Sequence, residues 1–357
     1  MTVDLLEIIL QDAFFLAPWA MASFVLSIVA TLIIRNFAPS FGLLDQPAAP
    51  KKIHLKPIPL FGGSAIFVSI SLVVLFVLLI SNALTSGEIG LNHYFGFFVG
   101  GLILMVGGYF DDKYSLSPKL AIIAPVLAAI TLILFGVEVE KITNPFGGVF
   151  YLTAWQSNIL VFVWLMVVMF TTKFLDGLDG LAAGITSIGT LMILALSLTV
   201  AYFQPDVALL SAISFGALLG FLIFNFHPAS IFLGEGGSTF VGFLIGTLAV
   251  ISGGKLATAL LVIGVPLLDL VFVITRRVLH GGIKAAVHGD RSHLHHRLLA
   301  AGLSDRKTVL IFYTIAGCFG VLTLFLQSKE KLIALGLLCL LGLVLAIGIS
   351  LKEKKAD

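Results

Sequence analysis

Apolar runs long enough to cross a membrane follow one another along almost the whole chain, and they leave it one kind of fold. They lie near 13–36, 60–81, 94–110, 118–136, 155–174, 181–203, 207–226, 238–253, 256–279, 308–327 and 331–351. About 20 apolar residues span the hydrocarbon core as a helix. Within lipid every backbone N–H and C=O must be satisfied internally, which permits only helices or closed barrels. A barrel would show segments of about ten residues alternating in hydrophobicity, and these runs are uninterrupted. The chain is therefore expected to be all-α, a polytopic helical membrane bundle. The run at 238–253 is short and glycine-rich, so ten or eleven transmembrane helices are expected.

Composition excludes the soluble classes. Of 357 residues 59% are hydrophobic and 11% charged, against about 45–50% and about 25% in soluble domains. A single integral domain over 1–357 follows, because the number of spans sets its size. A net charge of +2 is too small to suggest a nucleic-acid partner. Cys318 and Cys339 sit in apolar runs, where cysteine acts as a small hydrophobe, so neither a disulfide framework nor a metal site is expected from them. The opening MTVDLLEIILQD has no Lys or Arg and so lacks the basic start of a cleavable signal.

Basic residues orient the bundle, because cytoplasmic loops are enriched in them. With eleven spans, the 21 Lys and Arg divide 17 to 4 between the two sides. The N-terminus is thus expected outside and the C-terminus in the cytoplasm. All the chemically unusual loops fall on the basic side.

GGYFDDKYSLSPK sets Asp111 and Asp112 at the end of the third run. Adjacent acids can mark a solvated helix end, but these directly follow an apolar helix, where an unpaired carboxylate is costly. They could hold a cation, or one could be a proton acceptor of raised pKa. FLDGLDGLAAG places Asp176 and Asp179 three apart, on one face of any helical continuation. Gly177 beside them would let backbone approach a ligand, although glycine and aspartate also make ordinary turns. HPASIFLGEGGSTFVGF carries Glu235 in a glycine-rich turn at a helix start, where free N–H groups attract phosphates. HGDRSHLHHRLL brings His293, His295 and His296 together with Arg291 and Arg297. That spacing matches no common zinc pattern, and the arginines favour an anion. KKIHLKPIPLFGG is basic and suits phosphate or lipid headgroups, although cytoplasmic orientation explains its lysines as well. Acids for a divalent cation and basic groups for phosphates, together at one membrane surface, are the parts from which phosphoryl transfer is usually assembled.

These motifs in this order resemble the polyprenyl-phosphate N-acetylhexosamine-1-phosphate transferases, the superfamily of WecA, TagO and MraY. The resemblance spans roughly 40–300, and the form His293-Leu294-His295-His296 looks like the WecA branch. It implies transfer of a sugar 1-phosphate, foremost N-acetylglucosamine 1-phosphate, from a UDP-sugar donor to undecaprenyl phosphate. The products are a lipid-diphosphate sugar for cell-envelope glycans, such as wall polymer or lipopolysaccharide, and UMP. Mg²⁺ is implied as cofactor, with Mn²⁺ as a substitute. A plasma (inner) membrane location follows, with the active site on the cytoplasmic face, and the family leaves room for a homodimer. Residue by residue, the resemblance makes Asp111 and Asp112 catalytic, with Asp111 the favoured base, and gives the diphosphate to His293, His295 and His296. Glu235 takes a Mg²⁺-ligand position, with Asp112 beside it. Asp176, Gly177, Leu178 and Asp179 match the uridine region, and Lys119, Lys173 and Arg291 are further donor-binding candidates. The chain departs from the family pattern in three places: Lys173 stands where Asn is usual, Glu235 where Asp is usual, and Ala121 where a basic residue often follows Lys119. The alternative function is a cation-coupled membrane transporter, since acids within a bundle serve transport too.

Overall fold

The computed structural model describes residues 2–46, 57–144, 147–253, 255–281 and 293–353. Apart from two short antiparallel hairpins, these residues form helices and the loops that join them: α1 (Thr2–Phe37), α2 (Gly63–Ile80), α3 (Leu91–Tyr114), α4 (Pro118–Ala121), α5 (Ile123–Leu134), α6 (Ala154–Leu175), α7 (Leu181–Ser197), α8 (Pro205–Asn225), α9 (Gly234–Ile251), α10 (Leu256–Gly281), α11 (Leu294–Ala300), α12 (Asp305–Phe325) and α13 (Ser328–Glu353). Eight helical segments among the described residues are long and apolar enough to cross a membrane. The protein is an all-α, multi-pass integral membrane protein.

Each apolar run falls on a helix, but two are shorter than the sequence suggests. The run from Pro118 breaks at Ile122, between α4 and α5. Pro125 has no N–H to donate to the carbonyl of Ala121 four residues back, so a continuous helix would leave that acceptor unpaired. The run from Leu181 closes at Ser197, and a single 3₁₀ turn, Val200–Tyr202, leads into Pro205 at the start of α8.

The core is built around α9. Nearly every one of its residues is buried, the pattern of a helix surrounded by other helices. Glycines make this possible. Gly236 lies directly against Gly108 of α3, and Gly237 against Gly63 of α2, with no space at either contact for a side chain. Gly242 packs on the Met169 backbone in α6, and Trp164 of α6 donates through Nε1 to the carbonyl of Gly246 at 3.0 Å. At the periphery, Gly216 and Gly220 of α8 admit the Ala20 and Phe24 carbonyls of α1.

This packing gathers one set of helix ends. The C-terminal ends of α3, α6 and α8 meet the N-terminal ends of α7, α9 and α12. Backbone hydrogen bonds join the surrounding loops, with Phe232 N–H donating to the Pro59 carbonyl at 2.9 Å and Gly62 N–H donating to the Phe232 carbonyl at 2.9 Å. The hairpin Leu44–Asp45/Ile58–Pro59 is thereby held beside the start of α9.

A side chain at Gly108 would collide with the Gly236 backbone, whereas Gly317 of α12 faces open space. Gly108→Ala is expected to cost about 1–3 kcal/mol, as overpacking does. Gly317→Ala should leave stability nearly unchanged. Thermal unfolding of both variants in the same detergent checks the difference, and equal midpoints would refute the packing argument.

Candidate active site

The gathered helix ends enclose a cleft of ≈ 670 Å³. Its charged and polar lining includes Asp112, Lys173, Asp176, Asp179, Glu235 and His296. Four separate motifs therefore contribute to one site.

The start of α9 organises the acids. Gly234 adopts φ +77°, a backbone conformation that disfavours side chains, and even a methyl group there would press on Asp112 Oδ2. The tight turn lets the first-turn N–H of Glu235 donate to Asp112 Oδ1 at 2.9 Å. The N–H that the sequence reading offered to a phosphate is thus used by an aspartate, a favourable pairing at a helix N-terminus. Asp112 Oδ2 is buried and has no hydrogen-bond partner.

Asp111 is committed differently. Its Oδ1 accepts the Leu116 N–H at 3.0 Å, which stabilises the turn that ends α3, and its Oδ2 lies 3.5 Å from Lys173 Nζ. Lys173 makes its closer contact with Glu235 Oε2, at 2.7 Å. The two unusual residues at Lys173 and Glu235 are therefore partners. With no phosphate bound, the Lys173 ammonium is held by these two carboxylates.

Asp176 and Asp179 do not share a helix face, because α6 ends before Asp176 and α7 begins after Asp179. Both line the cleft through the intervening turn. Burial, reinforced by the carboxylates of Glu235, Asp112 and Asp179, holds Asp176 well above the usual carboxylate range. Asp179 Oδ2 lies 2.9 Å from His227 Nδ1 and accepts the Ala229 N–H at 3.0 Å. It ties the α8–α9 loop to the α6–α7 turn. Arg306 Nε donates to the His227 carbonyl at 3.1 Å, which adds α12 to the same junction.

The histidines divide into two layers. Among the three, only His296 lines the cleft. His293 is buried with Nδ1 2.9 Å from Asp269 Oδ2, while Asp269 Oδ1 accepts the Leu294 N–H at 2.8 Å and so fixes the start of α11. Phe174 stacks on His293 with ring centroids 5.7 Å apart. His295 is buried, and its Nε2 presses on Gly177 with no hydrogen-bond partner, so a side chain at 177 would have no room. Burial, followed by the neighbouring His296 and His293, keeps His295 well below the ordinary imidazole range. Of the three histidines expected at the diphosphate, His296 stands at the cleft, while His293 and His295 build the wall behind the turn that presents Gly177.

Lys119 is exposed on α4, outside the cleft lining. Arg291 lies outside the described residues. Leu178 lines the cleft as a buried apolar floor. The sequence reading missed Asp269, His227, Asn225 and Asp305. Asp269 did give a signal, since an ionisable residue inside an apolar run marks function or a paired partner.

A family model, glycosyl transferase family 4, matches residues 94–253. The chain is 32% identical to a Bacillus subtilis (strain 168) protein named "Probable undecaprenyl-phosphate N-acetylglucosaminyl 1-phosphate transferase", over 90% of this chain and 87% of that relative. It is 34% identical to the decaprenyl-phosphate N-acetylglucosaminephosphotransferase of Mycobacterium tuberculosis (strain ATCC 25618 / H37Rv), over 85% of this chain and 80% of the relative. It is 26% identical to the undecaprenyl-phosphate alpha-N-acetylglucosaminyl 1-phosphate transferase of Yersinia pestis, over 84% and 81%. An integral membrane bundle with an acid-lined cleft at its helix ends is the class of protein seen here. The chain belongs to glycosyl transferase family 4, the WecA- and MraY-like family that its motifs resemble.

Two measurements check the histidine wall. Asp269→Ala leaves the buried His293 unpaired and should cost about 1–3 kcal/mol, while His296→Ala should barely change stability. An unfolded imidazole binds a proton near pH 6.5, whereas buried His295 does so only at much lower pH. Unfolding therefore takes up a proton in that window, and stability falls as pH falls. The thermal midpoint should drop between about pH 7.5 and about pH 5.5, and drop less in His295→Gln. An equal drop in both would exclude His295 as the cause.

Proposed function

We propose that this protein transfers N-acetylglucosamine 1-phosphate from its UDP-linked donor to a polyprenyl phosphate, with undecaprenyl phosphate as acceptor and UMP as the second product. The observation that carries the reading is the cleft itself, where Asp112, with its buried and unpartnered Oδ2, lines the same space as Lys173, Asp176, Glu235 and His296. Relatives along most of the chain are named as transferases of this type, and none of those named above is a transporter. Transport sites usually lie near the bilayer midplane, whereas this cleft lies at helix ends.

The lipid phosphate must lose its remaining proton to become a good nucleophile. Of the two neighbouring aspartates, Asp112 is the one with an oxygen left for the reacting groups, because Asp111 already serves the α3 turn and Lys173. Lys173 supplies positive charge and His296 a hydrogen bond to the donor's diphosphate, and Gly177 lines the donor's cleft from the α6–α7 turn. The mostly apolar side of the cleft, with Ile58, Leu60 and Phe232, suits the first isoprene units. Mg²⁺, with Mn²⁺ as a substitute, suits the oxygen donors Asp112, Asp176 and Glu235, and the orphaned Asp112 Oδ2 is an atom such an ion would satisfy. When bound, it would neutralise charge on the reacting phosphates.

The basic asymmetry of the loops supports placing this cleft on the cytoplasmic face of the plasma membrane, the N-terminus outside and the C-terminus in the cytoplasm. Nucleotide sugars are then within reach. Radiolabelled UDP-N-acetylglucosamine, undecaprenyl phosphate and Mg²⁺ incubated with the purified protein test the proposal. UMP and an organic-soluble sugar should appear in equal amounts. Asp112→Asn should lower the rate about 10²-fold or more, and Lys119→Ala should stay near wild type. Full turnover in Asp112→Asn would remove it from the chemistry.

A further inference from the structure

Lys173 stands where its charge both helps and obstructs. Its Nζ lies 2.7 Å from Glu235 Oε2 and 3.5 Å from Asp111 Oδ2, so an ammonium already balances part of the negative charge in the cleft. Among the described residues, no three His, Cys, Asp or Glu side chains converge closely enough to hold an ion. The carboxylates of Asp112, Asp176 and Glu235 face one space without sharing one point. An ammonium and a divalent cation repel each other strongly at such separations in a partly buried site, and Glu235 cannot serve both well at once.

We propose that Lys173 acts as a tethered counter-cation that closes the carboxylate site, and that metal binding becomes favourable when the lysine leaves Glu235 for the donor's diphosphate. This rests on the reading of the cleft as the metal and phosphate site. The stem allows the exchange, since lysine is a flexible four-carbon chain carrying a point charge, and its side chain is 23% exposed, reaching the cleft it lines. Phosphate is a good alternative partner, because lysine binds it as a point charge without needing a planar fork. Glu235 has solvent to turn to, being 44% exposed at the side chain. The anchor does not move, since α6 is held against α9 through Gly242 and the Trp164–Gly246 hydrogen bond. Metal and donor should therefore bind cooperatively, each strengthening the other by the same factor. Lys173 is the positioning residue that creates this coupling.

The test uses Mn²⁺ as the probe, titrated against the full-length protein in nanodiscs and followed by the electron paramagnetic resonance signal of free Mn²⁺, with and without UDP. In the wild type UDP should tighten Mn²⁺ binding about tenfold or more, the usual size of such coupling. Lys173→Asn should bind Mn²⁺ about tenfold or more tighter than wild type without UDP, because the competing charge is gone, and UDP should add little. Lys173→Gln, of closer length, provides a second reading, and the thermal midpoint of each variant establishes that it is folded. Asp112→Asn separates the two ways of failing. If Asp112→Asn loses Mn²⁺ but both lysine variants bind it no tighter than wild type, the cleft holds the metal and the counter-cation role is overturned. If Asp112→Asn binds Mn²⁺ as wild type does, the metal lies elsewhere, and both the cleft reading and this proposal fall.

Discussion

One backbone contact sets the geometry on which the site depends: Gly236 of α9 against Gly108 of α3, with Gly237 against Gly63 of α2 close by. Lipid tails offer no hydrophobic drive for helices to associate, so close packing through small residues must supply it. At these contacts the main chains approach so nearly that a first-turn N–H of α9, that of Glu235, reaches the carboxylate of Asp112 on α3. A larger residue at any of the four positions would separate the helices and open that hydrogen bond. The packing of the bundle and the positioning of the acid are one feature of the structure.

The electrostatics follow from that approach. Two carboxylates, those of Asp111 and Glu235, hold the Lys173 ammonium, and those of Asp112 and Asp176 stand near Glu235. Uncompensated, so many charges at the edge of a low-dielectric bundle would be expensive. Each oxygen has a different solution. Asp111 takes a backbone N–H and the lysine, Asp112 takes the helix start, Asp176 is pushed toward its protonated form, and Glu235 keeps contact with both lysine and solvent. The unpartnered Oδ2 of Asp112 is what remains for a ligand. Around this centre, Asp179 and Asp269 have supporting work, one joining two loops and the other fixing the start of α11.

Much of this was legible in the sequence because membrane crossing writes itself in long apolar runs, and every run is a helix. Breaks within runs were harder to see. Pro125 offered the clue for one of them, but proline is tolerated in many membrane helices. The acids were legible too, since charge beside an apolar helix demands a reason. Their division of labour was not. Whether Asp111 or Asp112 faces the ligand depends on the direction of α3 relative to α9, and that is settled by glycines far away in sequence. The GEGGS stretch shows the same limit. Gly234 is there for its positive φ, whereas Gly236 and Gly237 are there for helix contact, and composition alone reads all three as a phosphate loop. The partnership of Lys173 with Glu235 and that of His293 with Asp269 join residues from different helices, so no local spacing could reveal them. Lys119 was a candidate from the resemblance alone, and its place outside the cleft lining could not be read from its spacing.

Donor, lysine and acids are expected to meet in the cleft at the start of α9. Determining the structure of the protein in nanodiscs with UDP-N-acetylglucosamine and Mg²⁺ bound, at a resolution that shows side chains, tests it most directly. The diphosphate should lie between Lys173 and His296, next to Asp112, with Gly108 and Gly236 still in contact. A diphosphate seated away from Asp112, on the exposed α4 surface around Lys119, would contradict the account.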